Sequence, residues 1–250
     1  MIYCTLKGGL GNVLFQISAT MEFSRKNDVD FSFPNLEEHL KYLKNETYHN
    51  SKLKCVVHYE KLFSKLKTSK PPFRVPRVSF PFHYVDWDIP KNCIIEGFFQ
   101  SEKYFKNSRR QILSLFPKTR EIDKVSIHVR RGDYLKNPKH HNILDLNFYN
   151  KAIELFEEDS FLVFSDDIQW CKNNFTGDRF NFYEGENDLQ EMLAMASCKS
   201  NIIANSSFSW WGAWLNTREK RKTVCPSRWV GNGFLHLNTE DIYCQNWIII

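Results

Sequence analysis

Apolar residues divide the chain into short β-prone runs and helical patterns, with a poorly readable stretch between them. In the first third, residues 2–6 and 29–33 read as strands and residues 13–26 as a helix. Further on, strands are predicted at 93–99, 125–130, 161–165, 180–183, 201–204 and 223–225, and helices at 102–115, 148–158, 189–197 and 208–215. Strands that alternate with helices over short connections predict an α/β fold with parallel sheets.

Polar clusters follow four of these strands, at residues 8–12, 130–133, 166–167 and 205–207. In open parallel sheets, ligands bind beyond the carboxyl ends of the strands. The clusters come from both halves of the chain, so we expect one ligand held in a cleft. We predict an N-terminal domain at 1–115 and a C-terminal domain at 116–250.

The stretch 35–90 is rich in lysine and interrupted by prolines, so we expect short helices and irregular connections there. Its lysines predict a solvated surface. The alternative is contact with an anionic glycolipid or membrane surface. They are Lys41, Lys44, Lys52, Lys54, Lys61, Lys65, Lys67 and Lys70.

Charge and cysteine content narrow the function classes. The formal charge is +5, which fits a small anionic ligand, and no basic stripe interleaved with aromatics indicates nucleic-acid binding. Seven cysteines without a C-x-x-C spacing argue against a disulfide framework and a zinc site, and favour a reducing compartment. No apolar run reaches about 18 residues. We therefore expect a cytoplasmic protein, with peripheral contact at the inner membrane face as an alternative.

The sharpest motif is His128-Val-Arg-Arg-Gly-Asp-Tyr134, at the end of a predicted strand. Side chains alternate along a strand, so His128 and Arg130 point the same way. Planar guanidinium groups bind phosphate through paired, charge-assisted hydrogen bonds, so Arg130 and Arg131 suit a diphosphate. Asp133 either orients an arginine or faces a substrate hydroxyl. The alternative is a surface salt bridge.

The loop Gly8-Gly-Leu-Gly-Asn12 follows a strand and opens a helix. Glycines such as Gly9 and Gly11 permit a tight turn, and a helix N-terminus attracts phosphate. The spacing matches neither the dinucleotide fingerprint nor a P-loop. A purely structural turn fits equally well.

Two further clusters offer polar groups. Asp166 and Asp167 follow a buried strand; a carboxylate there accepts two N–H groups of guanine or caps the next helix, and Asp167 fits the cap better. Ser206 and Ser207 open a helix, where they cap it or bind a phosphate. The tryptophans that follow pack in the core or stack on a sugar, and we favour the core for Trp211 and Trp214.

We find no D-x-D motif, which many metal-dependent nucleotide-sugar enzymes use, and His140-His141 are adjacent rather than spaced as ligands on one helical face. Arginine would then replace a metal ion in neutralising a departing diphosphate.

Together the motifs resemble the alpha-1,2-fucosyltransferases of glycosyltransferase family eleven. The matching segments occur in family order, whereas residues 30–90 match nothing. They are Gly8-Gly-Leu-Gly-Asn-Val-Leu-Phe-Gln16, Glu96-Gly-Phe-Phe-Gln-Ser-Glu-Lys-Tyr-Phe105, His128–Tyr134, Phe164-Ser-Asp-Asp167 and Asn205-Ser-Ser-Phe-Ser-Trp-Trp-Gly-Ala-Trp-Leu215.

The resemblance implies a GT-B-like fold of two Rossmann-like halves, with the donor in the cleft between them. It implies inverting transfer of L-fucose from GDP-β-L-fucose to a glycan acceptor, O2 of a terminal β-galactoside by default, without a metal or other cofactor. Arg130 would hold the β-phosphate, and His128 and Asp166 would contact guanine. Ser206 and Ser207 would meet phosphates or ribose, and Asn12 the donor phosphate and reacting centre.

Two departures from the family pattern stand out. Val13-Leu14 replaces the usual Gln-Met after Asn12, and the first half is short, which indicates reduced acceptor loops. The general base is not evident, with Asp133, Glu96 and His141 as candidates; an oxocarbenium-like path needs none. Transfer of another GDP-sugar and non-catalytic nucleotide or sugar binding are the alternatives.

Overall fold

The computed structural model describes residues 1–45, 63–64, 66–157, 159–185 and 187–250, without the side chains of 42–45. The described residues form two compact units. The first contains those up to Pro117 together with Leu237–Cys244, and the second contains Lys118–His236 and Gln245–Ile250. Each unit has a parallel sheet with helices in its connections, so the predicted α/β class with parallel sheets is confirmed.

The first unit has a four-stranded sheet of order β2-β1-β4-β3, in which all described pairings are parallel. Strand β1 leads directly into the Gly-rich loop and the long helix α1, as the hydrophobic pattern predicts. The elements are β1 (Ile2–Cys4), α1 (Leu10–Asn27), β2 (Phe31–Ser32), α2 (Leu36–Asn45), β3 (Arg77–Ser79), β4 (Cys93–Glu96) and α3 (Arg109–Leu113).

The helix predicted at 102–115 is interrupted. Two 3-10 turns, Glu102–Tyr104 and Lys106–Ser108, precede the short helix α3. Phe105 leaves the helical region, with φ −146° and ψ 14°, and its ring is fully buried 5.9 Å from Phe15. Burial of this ring fixes a backbone conformation that a continuous helix does not allow.

The second unit has a six-stranded parallel sheet of order β10-β9-β8-β5-β6-β7, with β5 and β8 at its centre. Strand β10 has no counterpart in the sequence prediction. The elements are β5 (Ile122–Val129), α4 (Gly132–Lys136), α5 (Leu146–Glu154), β6 (Phe161–Ser165), α6 (Ile168–Asn174), β7 (Phe180–Phe182), α7 (Asp188–Ser197), β8 (Cys198–Ile202), α8 (Ser207–Leu215), β9 (Thr223–Cys225) and β10 (Ile248–Ile249).

The units divide after Pro117, close to the predicted boundary, but one part of that prediction is wrong. The segment Leu237–Cys244 was assigned to the C-terminal domain and belongs to the first unit. Asp241 explains this placement, since it accepts the backbone N–H of Tyr84 at 3.0 Å and forms an ion pair with Lys103. Such long-range contacts leave no local pattern in the sequence.

The lysine-rich stretch is only partly visible. Lys52, Lys54, Lys61 and Lys65 lie outside the described residues, as does the side chain of Lys44, so neither interpretation of the stretch is tested. Among the described residues, no helix combines the length and the apolar character needed to cross a bilayer.

The tryptophans of α8 lie in the core of the second unit. Trp210 and Trp211 are fully buried and Trp214 is 3% exposed. Their rings pack on one another at centroid distances of 5.0–6.1 Å. The preferred interpretation of Trp211 and Trp214 as core residues is confirmed, and their burial leaves no face for a sugar.

A buried amide network ties β5, β8 and α8 together. Asn201 is fully buried and donates to Ser126 Oγ at 2.7 Å and to the Met195 carbonyl at 2.8 Å. Its own oxygen accepts Asn216 Nδ2 at 2.8 Å. Since buried polar groups are costly without partners, each member depends on the others.

We predict that Asn201→Ala destabilises the protein by about 2–3 kcal/mol, because it leaves the Ser126 hydroxyl without its hydrogen-bond partner and removes one of the two acceptors of the Asn216 amide. Urea unfolding followed by tryptophan fluorescence measures the change. Asn173→Ala, on the exposed side of α6, is the matched control and should leave the midpoint unchanged. Equal midpoints for the two variants would contradict the prediction.

Candidate functional site

The polar clusters of the second unit meet at the carboxyl ends of β5, β6 and β8. Sheet register aligns Val129 with Ser165 and Ile127 with Ile202. The motif that follows β5 therefore lies between the segments that follow β6 and β8. Of the predicted site residues, the structure brings together Arg130, Arg131, Asp133, Asp166 and Ser206.

Arg130 is held from several sides. Its NH1 lies 2.9 Å from Asp166 Oδ2 and its NH2 donates to Asp133 Oδ1 at 2.6 Å. The guanidinium carbon also lies 5.3 Å from the centroid of the Tyr134 ring, within the range of a cation–π contact. The side chain is only 13% exposed, so its orientation is fixed before any ligand binds.

Arg131 is immobilised separately. Its Nε donates to Asp167 Oδ2 at 3.1 Å, and its guanidinium stacks over the Trp170 ring at 4.1 Å. The side chain is 18% exposed. A lysine has no planar group, so it could not stack on the Trp170 ring and donate an in-plane hydrogen bond to Asp167 at the same time. These two contacts therefore require arginine.

The two aspartates after β6 have different hydrogen-bond partners. Asp167 caps α6 by accepting the backbone N–H of Trp170 at 3.2 Å, as predicted. Asp166 is 8% exposed and accepts the backbone N–H of Arg131 at 2.9 Å with the oxygen that does not face Arg130. Both oxygens of Asp166 therefore contact the arginine motif, and the guanine contact that the resemblance implies for Asp166 stays a prediction.

Gly132 allows the close approach of Asp166. A Cβ on Gly132 would lie 2.6 Å from Asp166 Oδ2, well inside van der Waals contact. The same oxygen pairs with Arg130, so any side chain here would displace the carboxylate that orients the guanidinium. The glycine in the motif is therefore a packing requirement of the site.

The serines at the start of α8 differ in exposure. Ser206 is buried and caps α8 by accepting the backbone N–H of Phe208 at 3.3 Å, while Ser207 is partly exposed on the first turn. The cap is one of the two roles predicted for this pair. Ser207 keeps its hydroxyl at the surface of the site.

Tyr134 and Asn205 hold the loops around the site. The Tyr134 hydroxyl donates to the Asn205 carbonyl at 2.9 Å, and the Asn205 amide donates to the carbonyls of Asn142 at 2.9 Å and Trp229 at 2.8 Å. The Tyr134 ring stacks on His141 at 4.0 Å with an interplanar angle of 7°. Burial raises the pKa of Tyr134 to about 12, so this hydroxyl stays a donor at neutral pH.

His128 is buried, and His141 is partly buried beside the Tyr134 ring. His128 is 3% exposed, with its ring 5.7 Å from Phe208. Burial lowers the pKa of His141, opposed by the nearby Asp133 carboxylate. A neutral His141 offers one acceptor nitrogen, which suits a base better than a fixed cation would.

The Gly-rich loop of the first unit is built on amide side chains. Gly8 has φ +84°, a conformation that favours glycine, and its carbonyl lies 2.9 Å from His39 Nε2. Gly9 is the N-cap of α1 with an extended backbone, and Gly11 is buried in its first turn. The side-chain oxygen of Asn12, Oδ1, accepts a hydrogen bond from Gln100 Nε2 at 2.7 Å.

Comparison with known proteins matches this architecture. A family model described as glycosyl transferase family 11 covers residues 16–250. This chain belongs to that family. The family inferred from the motifs is confirmed, and family 11 membership makes the chain a glycosyltransferase.

Bacterial relatives of this family 11 glycosyltransferase align along its whole length. The O-antigen biosynthesis glycosyltransferase WbnK of Escherichia coli is 29% identical over 308 residues, covering 99% of each chain. An alpha-1,2-colitosyltransferase of Escherichia coli is 29% identical over 296 residues, covering 100% of this chain and 99% of that protein. A mouse galactoside 2-alpha-L-fucosyltransferase, Sec1, is 31% identical over 103 residues, 36% of this chain and 28% of its own length.

Sequence reasoning missed several groups of this glycosyltransferase. Trp170 has no local signal, and Gln100 lies in a motif segment but was given no role, because their partners come from distant segments. Glu191 on α7 is another missed residue: burial, reinforced by Asp188 and Asp166, raises its pKa to about 8.

Glu96, a candidate base in the sequence analysis, forms an ion pair with Arg77 and accepts a hydrogen bond from the Ser79 hydroxyl at 3.3 Å. Across the described ranges, no three His, Cys, Asp or Glu side chains converge as metal ligands.

We predict that Gly132→Ala weakens binding of a nucleoside diphosphate, with GDP as the probe, at least ~10-fold, since its Cβ would push Asp166 away from Arg130, the guanidinium expected to bind phosphate. Calorimetric titration with GDP measures the affinity. The unfolding midpoint of the same variant shows whether the change is local. GDP affinity equal to wild type would show that the close approach of Asp166 does not matter to the ligand.

Proposed function

We propose that this family 11 glycosyltransferase moves L-fucose from GDP-β-L-fucose to O2 of a terminal β-galactoside, with inversion to an α-1,2 linkage. The names of three relatives support this proposal. One is named for alpha-1,2-colitose transfer, one for transfer of L-fucose to a galactoside and one for O-antigen biosynthesis. We further propose that the acceptor is a bacterial surface glycan of the O-antigen type.

The observation that carries the proposal is the fixed guanidinium of Arg130 at the carboxyl end of β5. In a transfer from a nucleotide diphosphate sugar, negative charge grows on the β-phosphate as the sugar leaves. A preoriented charge aimed at that position stabilises the transition state without reorganising during the reaction. Asp133, Asp166 and Tyr134 supply that preorganisation.

Ligand entry requires an exchange of partners at Arg130. The side chain of Asp133 is 35% exposed, whereas that of Asp166 is 8% exposed. Water can therefore solvate the Asp133 carboxylate far better once its ion pair with Arg130 is broken. We therefore assign Asp133 as the carboxylate that yields to phosphate, while Asp166 keeps the guanidinium in place. A released Asp133 is then our candidate to orient or deprotonate the acceptor hydroxyl.

We also propose that the reaction needs no metal ion or other cofactor. The guanidinium of Arg130 supplies the positive charge that a divalent cation would otherwise bring to the departing diphosphate. Asn12 and the partly exposed Ser207 are our candidates for neutral hydrogen-bond donors to the donor substrate.

A second donor has specific support. A relative aligned with 100% of this chain is named for colitose transfer. Colitose is the 3-deoxy analogue of L-fucose, so the two donors would share every guanosine diphosphate contact and differ at one sugar hydroxyl. Loss of one hydroxyl contact changes discrimination only where a buried polar group is left unpaired.

The function test is incubation with GDP-fucose, a colitose donor or GDP-mannose, each with a panel of galactosides and EDTA, followed by linkage analysis. We expect an α-1,2-fucoside in the presence of EDTA. A colitoside formed in preference would reassign the donor. Activity lost with EDTA and restored by manganese would contradict the metal-independent mechanism, and GDP binding without transfer to any acceptor would contradict catalysis.

We predict that Arg130→Ala lowers kcat/KM at least ~100-fold, because losing one preorganised donor to a developing oxyanion costs about 2.7–4 kcal/mol. A GDP-release assay measures the change. Arg130→Lys should recover only part of the activity, since it keeps the charge and loses the fork. The exposed Arg221→Ala is the control for a lost positive charge. Turnover near wild type in Arg130→Ala would end the proposal.

A further inference from the structure

We propose that Gln100 is a positioning residue that decides which end of the Asn12 amide faces the substrates. The inference rests on the proposed function, in which Asn12 donates a hydrogen bond to the donor substrate. It concerns the first unit alone. The contact at its centre is the hydrogen bond from Gln100 Nε2 to Asn12 Oδ1, at 2.7 Å.

The Asn12 side chain is folded over the Gly-rich loop. Its Nδ2 would lie 2.6 Å from a Cβ on Gly8, so the glycine at φ +84° leaves room for the amide as well as for the turn. Asn12 is partly exposed, and among the described residues its side chain makes one hydrogen bond, through Oδ1 to Gln100. With Oδ1 engaged by Gln100, Nδ2 is the end left for a ligand.

Gln100 is itself held rigidly by its neighbours in the chain. Phe99 adopts φ +52°, a left-handed conformation that is costly for a bulky residue, and its ring is fully buried. Ser101 is 1% exposed, its N–H donates to the Phe99 carbonyl at 2.7 Å, and its hydroxyl accepts Lys103 N–H at 3.3 Å. Backbone strain that packing enforces is typical of functional sites.

The Phe99 ring explains how this strain is maintained. It packs edge-on against Tyr104 at 5.3 Å and at a tilt of 58° against Phe80 at 5.1 Å. Aromatic contacts of this kind add to the burial of a large ring, so the packing can offset a strained backbone. The backbone that carries Gln100 is therefore held in one conformation, and from it the side chain reaches Asn12.

Orientation matters because an asparagine amide has two opposite ends. The NH2 group attracts the oxygen of a phosphate or a sugar, whereas the carbonyl oxygen repels it. The two orientations are nearly isosteric, so packing alone does not choose between them. A single outside donor to Oδ1 does choose, and Gln100 is that donor.

The test is Gln100→Glu, which keeps the shape and replaces the donor by an acceptor. The carboxylate then attracts Asn12 Nδ2, the amide turns, and its carbonyl faces the substrates. We expect kcat to fall at least ~10-fold, by analogy with other lost preorganised donors. Gln111→Glu, the same change at an exposed position of the first unit, is the matched control and should be unaffected.

A double-mutant cycle separates positioning from a general structural role. If Gln100 acts through Asn12, Gln100→Glu should change kcat less than ~3-fold once Asn12→Ala is present. Should Gln100→Glu fail to fold, Gln100→Met keeps the length without an amide and should also lose activity only when Asn12 is intact. Equal effects in both backgrounds, or wild-type kcat in Gln100→Glu, would overturn the inference.

The cycle is run with whichever donor sugar the wild-type enzyme transfers. Absence of fucose transfer by the wild type, with transfer of another sugar, would therefore reject the proposed donor and leave the Gln100 comparison decisive. Fucose transfer by the wild type together with an unaffected Gln100→Glu would reject the positioning role and leave the proposed function standing.

Discussion

The ion pair between Arg130 and Asp166 is the interaction on which the rest of the site depends. The Arg130 guanidinium is only 13% exposed, so it has lost most of its hydration. Carboxylates held in a fixed geometry must stabilise its charge instead. Two arginines and three aspartates meet here, which makes the unliganded cluster formally negative by one charge. In the proposed function, an arriving diphosphate displaces a carboxylate, and the partly exposed Asp133 is the partner that can leave.

Sheet register gives this ion pair its precision. Val129 and Ser165 are paired on adjacent parallel strands, so the residues that follow them are placed side by side by the backbone ladder. Gly132 then lets the Asp166 carboxylate approach the turn, and its second oxygen accepts the Arg131 N–H. The backbone thus fixes Asp166, and Asp166 fixes Arg130. Rigid strands hold a site more precisely than loops do.

Local patterns in the sequence were enough to predict strands β5 to β9 of the second unit, the Asp167 cap and the burial of Trp211 and Trp214, because periodicity and capping are short-range effects. They were not enough for features that arise from tertiary packing. The buried ring of Phe105 interrupts the helix predicted at 102–115, and the ion pair between Asp166 and Arg130 joins two segments that are distant in the sequence. Strand β10 forms only because β9 is already in place to pair with it.

Neutral amide side chains, rather than carboxylates, hold the backbone that leads into the Gly-rich loop of the first unit. Asn35 exchanges two hydrogen bonds of 2.9 Å with the backbone of Leu6, and Gln16 does the same with Lys7 at 2.9 and 3.2 Å. An amide donates and accepts at once, so it can replace a strand partner without adding a charge. Carboxylates would satisfy only the N–H groups and would repel an anionic substrate. If this loop meets phosphate, as the proposed function requires, asparagine and glutamine are the residues that keep its shape without repelling the ligand.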